Sequence, residues 1–220
     1  MPVSNNDVVG HRIERLANLS DSIFGVAMTL LILEVRVPVD FIANERQLWN
    51  GLLALGPRFL VYFMSFLTLG IFWNAQQVQL SCFARGDRHL TWIQIAFLAT
   101  VAVTPFSTGL VENFIHLRIA LALFWLNLLL LGSVLYASWR YACANELLRN
   151  DVSPETKSAI GRRIVLAQAL YAVGFACCIF STFLSIVAIA VVQFVLAFAP
   201  TIWRFKRETL LGQQDHHRSA

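Results

Sequence analysis

Six side chains able to carry charge or exchange hydrogen bonds crowd into one stretch: Arg15, Ser20, Asp21, Ser22, Thr29 and Glu34. The residues around them are apolar and long enough, with their flanks, to form a membrane helix. Ionisable groups are costly in a bilayer and usually face a protein interior or a water-filled path. The chemistry they suggest is therefore passage or coordination of ions rather than bond making. At about 100° per residue, Leu30 and Leu33 fall within roughly 40° of Val26, and Ser22 lies on the same stripe. Thr29 borders that stripe at about 60°, while Asp21 lies about 140° away. Arg15 and Asp21 are about 120° apart and poorly placed to pair, so each is expected to find partners on neighbouring helices. On spacing alone, the ladder of Val26, Leu30 and Leu33 serves equally for helix packing or for lining a pore.

Catalytic constellations are absent from the sequence. It has no HExxH, no phosphate-binding glycine loop and no serine elbow, and its five histidines are scattered. The four cysteines, Cys82, Cys143, Cys177 and Cys178, have neither metal-ligand spacing nor a disulfide pattern. We expect no enzyme activity, no bound metal and no cofactor. The net charge of +4 comes from short basic clusters between apolar runs, with no continuous patch for nucleic acid.

The elements that must position these residues are membrane spans. Of 220 residues 57% are apolar and only 14% charged, against about 25% charged in a soluble domain. A helical span takes roughly 20 apolar residues, and six candidates follow: 16–38, 57–80, 90–111, 118–141, 162–181 and 184–203. Trp49 to Leu55 reads as interfacial, Glu112 to Leu117 as a tight connection, and Pro105 as a kink. Ser181, Thr182 and Ser185 mark the last reversal, and 204–220 reads as a disordered cytoplasmic tail. With both termini inside, only Arg36, Arg46, Arg58 and Arg118 of the 17 basic residues fall outside. The other 13 lie on the cytoplasmic side, as the positive-inside rule requires. The expected fold is an all-α integral membrane protein of one six-helix domain, 1–220.

The run Arg15…Ser20-Asp21…Thr29…Leu33-Glu34, with Pro38 close behind, resembles the first-helix signature of the transmembrane protein 175 family of potassium channels. The shorter, single-repeat prokaryotic members fit the chain length. Phe72-Trp73-Asn74 in the second span carries the resemblance further; Leu19 stands where the family prefers phenylalanine. The resemblance implies a homotetramer with first helices around a central pore, and a constriction of branched apolar layers. Carried over from the Ser-Asp pair, those layers are Val26, Leu30 and Leu33. Thr29 is associated with cation selectivity, and Ser22 and Glu34 fall at the pore mouths. Arg15, Ser20, Asp21, Trp73, Asn74 and Gln77 make up the motif network.

Family members commonly carry histidine after Phe-Trp, where this chain has Gln76 and Gln77. Glutamine can hydrogen-bond to the first-helix motif but cannot titrate. Valine at the first layer is smaller than isoleucine or leucine, which makes for a wider constriction. The expected function is a potassium-permeable cation channel in the cell membrane, multi-pass, with the bilayer and transient potassium as partners. The alternative is a secondary transporter using Asp21 as coupling carboxylate; a third reading is an assembly protein without transport.

Overall fold

In a computed structural model of the chain, residues 5–36 and 44–197 are described, with side chains from residue 13 onward. The described architecture is all-helical: α1 (Asn5–Glu34), α2 (Glu45–Ala54), α3 (Gly56–Cys82), α4 (Arg88–Asn113), α5 (Arg118–Ala144) and α6 (Pro154–Ala176). A 3-10 turn, Cys177–Ile179, reverses the chain into a shorter apolar helix, α7 (Thr182–Ala197). Among the described residues, five segments are long and apolar enough to cross a membrane: Ile13–Glu34, Gly56–Cys82, Arg88–Asn113, Arg118–Ala144 and Pro154–Ile179.

Several boundaries differ from the hydropathy reading. The first helix stops at Glu34 rather than at 38, four residues ahead of Pro38. A residue preceding proline disfavours helical backbone, and the Val35 amide turns back onto the Ile32 carbonyl. Pro38 itself, the end of the sixth expected span and the tail lie outside the described residues. The fifth span begins at Pro154, two turns early, because Ser153 caps it: its Oγ accepts from the Thr156 amide. The fourth helix runs to Asn113, so Glu112 is a buried residue of α4 and not part of a connection. Pro105 sits within that helix, which continues through it. Of the stretch read as interfacial, Trp49 to Ala54 belong to α2, which has no buried residue, while Leu55 at its C-cap is buried.

α4 is the central post, packed against α1, α3 and α5. Phe97 on α4 meets Phe24 of α1 and Phe72 of α3 at ring-centroid distances of 6.1 and 6.5 Å. Polar side chains stitch the remaining faces. Asn127 on α5 donates to Thr104 and Ser107 of α4, and Thr108 donates to Ser65 of α3. α7 returns along α6 and reaches α3, with Ser185 donating to the Gly174 carbonyl and Gln193 to Thr68.

The loops after α3 and α5 close one end of the bundle together. Phe83 and Leu148 form an antiparallel bridge, and the Arg149 amide donates to the Cys82 carbonyl. Asp87 caps α4 there, accepting from the Leu90 amide at 2.7 Å and from the Tyr141 hydroxyl at 2.6 Å. Partial burial pushes its carboxyl up, but the Tyr141 and Leu90 hydrogen bonds and the nearby His89 charge outweigh that and hold it below the usual range.

Candidate functional site

α1 has three faces, and each treats its polar residues differently. Phe24, Ala27 and Leu31 are buried against α4 and α3, and this face also carries Ser20, fully inaccessible. A buried hydroxyl inside a membrane bundle needs a partner. Ser20 donates to the side-chain oxygen of Gln76 on α3. The Gln76 amide nitrogen donates to Gln94 of α4 at 2.8 Å, and Gln94 donates to the Ser138 hydroxyl of α5 at 2.7 Å. All four are fully buried, so one unbroken relay runs from α1 through α3 and α4 to α5. Gln94 and Ser138 were not singled out from sequence. The available signal was an amide isolated in an apolar run, which in a bilayer has to be paired.

The second face carries Asp21. One of its carboxylate oxygens, Oδ1, accepts from the Trp73 indole at 2.8 Å and from the Gln77 amide at 2.7 Å, both on α3. Their spacing of four residues puts Trp73 and Gln77 one helical turn apart on one face, which is why both reach one oxygen. Asn74, expected in the same network, points elsewhere. It is exposed on another face of α3 and lines a cavity of about 310 Å³ with Gln79, Gln168 and Tyr171.

The third face is bare. Val26, Leu30 and Leu33 are 59%, 42% and 63% exposed in the single chain. Thr29 and Ser22 are also exposed and spend their hydroxyl protons within α1, on the Val26 carbonyl at 2.8 Å and the Asn18 carbonyl at 2.9 Å. Their oxygens therefore remain able to accept or to meet a cation. Arg15, eleven residues before Val26, falls about 20° from it on the same stripe. It is exposed, without a hydrogen bond among the described residues. Glu34 departs from the stripe: its carboxylate lies against Gly109 of α4.

The arrangement has no convergent nucleophile, acid and base, and no group of three or more metal-ligating side chains occurs among the described residues. It offers instead one apolar helix face with hydroxyls at intervals and Arg15 toward one end. The opposite side of the helix is hydrogen-bonded to α3, and through Gln76 and Gln94 onward to α4 and α5.

The family model described as endosomal/lysosomal potassium channel TMEM175 matches residues 15–105. A potassium channel of Chamaesiphon minutus is 32% identical over 176 residues, 78% of this chain and 87% of that protein. A potassium channel of Streptomyces collinus is 31% identical over 57% of this chain and 62% of its own length. The human endosomal/lysosomal proton channel TMEM175 is 26% identical over 92% of this chain, which corresponds to only 41% of the human protein. Among solved structures, the lysosomal potassium-selective channel TMEM175 homolog from Chamaesiphon minutus superposes with a TM-score of 0.76 at 26% identity. The match covers 86% of this chain and 98% of that one. The helix order, the α1 motif and a relative sharing nearly its whole length place this chain in the TMEM175 family.

Proposed function

We propose that this protein is a potassium-permeable channel of the cell membrane. Four copies place their α1 helices around a common axis, with both termini on the cytoplasmic side and α7 within the sixth crossing. The observation that carries the reading is the bare stripe of α1. A helix anchored on one side by a buried relay and on another by Asp21 keeps Val26, Leu30 and Leu33 uncovered by its own chain. Closed rotational symmetry gives such a stripe an identical partner in each neighbouring copy.

Four such stripes make successive apolar rings. A narrow apolar ring blocks ions by expelling water, and a small dilation lets water and ions through. Val26, the smallest of the three layers, sits deepest between Thr29 and Ser22. In this reading Thr29 presents its hydroxyl oxygen to a partly dehydrated cation. Arg15 lies at the cytoplasmic mouth. The Ser20 and Asp21 networks keep α1 from rotating, so the rings stay in register.

Reconstituted vesicles loaded with potassium test the proposal. Flux that runs down its gradient, carries current and needs no counter-ion is the expected result. Obligatory exchange with protons or another cation would replace the channel with a transporter, and absence of any flux would leave an assembly protein. A four-fold particle is the matching observation on the purified protein.

A further inference from the structure

The Glu34 end of α1 holds two carboxylates that the constriction does not use. Gly109 and Glu112 are three residues apart on α4 and so share the face turned toward that end of α1. Glu34 lies directly over Gly109: a β-carbon there would stand 2.6 Å from Glu34 Oε2 and 2.9 Å from its carboxyl carbon. The missing side chain is what lets Glu34 reach α4. Glu112 is 4% exposed, and neither of its carboxylate oxygens has a hydrogen-bond partner among the described residues. The charges of Glu34 and of Arg58 are both felt at Glu112. The Arg58 guanidinium nevertheless donates to the Arg36 carbonyl, at 3.0 Å, and no ion pair joins it to either acid.

A buried carboxylate with both oxygens bare is among the most expensive arrangements in a protein interior. A second carboxylate beside it adds repulsion. Arg58, the one cation felt at Glu112, pairs with neither acid, and the free atoms are hard oxygens, the donors that suit hard cations rather than soft metals. We propose that Glu34 and Glu112 together bind a single monovalent cation, potassium in a potassium-conducting membrane, at this end of α1. Only the identity of the ion rests on the channel reading; the site itself does not. The bound ion would tie the end of α1 to α4 and hold a cation beside the pore mouth.

The test is thermal unfolding of the purified full chain in potassium chloride against N-methyl-D-glucamine chloride at equal ionic strength, where the organic cation is too large to enter. A ligand that binds only the folded state raises Tm with its concentration. The wild type is expected to gain thermal stability in potassium, and the Val26→Ala variant to gain as much. Glu112→Gln and Glu34→Gln are expected to lose most of that gain, and Glu112→Asp to need at least tenfold more potassium. If Glu112→Gln does not fold, Glu34→Gln and Glu112→Asp carry the comparison. A potassium gain unchanged in these variants overturns the site. So does a wild type indifferent to potassium but stabilised by lowering the pH, since a proton would then be the occupant. Because unfolding needs no conduction, failure of the flux assay and failure of this site are separate results.

Discussion

Gln94→Leu tests the idea that a buried relay, and not apolar contact alone, fixes α1 in the bundle. Gln94 accepts from Gln76 and donates to Ser138, and all three are fully buried. Hydrogen bonds between membrane helices average about 0.6 kcal/mol, because the unfolded chain also finds partners, so the two lost bonds contribute only about 1 kcal/mol. The stranded Gln76 amide matters more, since a buried donor left unpaired costs roughly 1–3 kcal/mol. Ser138 escapes this penalty by turning its hydroxyl to a carbonyl of its own helix. The total of about 2–4 kcal/mol corresponds to a fall in Tm of roughly 4–16 °C for a chain of this size. Thermal unfolding in detergent measures it. Removing every partner at once strands nothing, so Ser20→Ala combined with Gln76→Leu and Gln94→Leu should lose much less than the sum of the single variants. A Gln94→Leu protein that melts within about 1 °C of wild type, or a triple variant whose loss is fully additive, would refute the reasoning.

Three further outcomes follow from the same geometry. Val26→Asn and Val26→Ala should raise vesicle potassium flux or blur its preference over sodium, by about tenfold for each 1.4 kcal/mol removed from the barrier; unchanged flux and selectivity would remove Val26 from the constriction. Asp21→Ala, which strips the acceptor from Trp73 and Gln77, should lower the yield of intact oligomer in size-exclusion chromatography more than the flux per assembled channel. Asp21→Asn keeps both contacts at about half strength, since charge-assisted bonds are roughly twice as strong, and should fall between; full assembly with altered conduction would instead put Asp21 in the ion path. For Asp87, whose native carboxyl lies below its ordinary value of 3.8, the linkage sign is that of an acid favoured ionised in the fold. Its contribution should be whole above about pH 5 and disappear as the pH falls through the lowered native value. Asp87→Asn should flatten that acid limb of a Tm-against-pH curve, and an unaltered limb would show that the cap contributes nothing.

The sequence by itself determined the solvent, the helical class and the helix that differs from the rest. Apolar run lengths decide these, because a bilayer demands internally satisfied backbone over a set distance. Helical periodicity likewise put Val26, Leu30 and Leu33 on one stripe with Asp21 well away from it, since both depend only on residues of one element. The α3 partners were legible in kind: Trp73 and Gln77 were expected in the network of the first-helix motif, and both bond to Asp21.

Which residue met which was a matter for the tertiary structure. Gln94 and Ser138 lie 44 positions apart in the chain and are joined only because α4 and α5 pack side by side. Asn74, one residue from Trp73, is turned by about 100° of helix away from Asp21 and into a cavity. Glu112 read as the start of a tight connection because hydropathy falls at any charge, whereas the helix continues past it and buries it. Single-element patterns give faces; contacts between faces depend on crossing angle and register, which arise only when the helices are assembled.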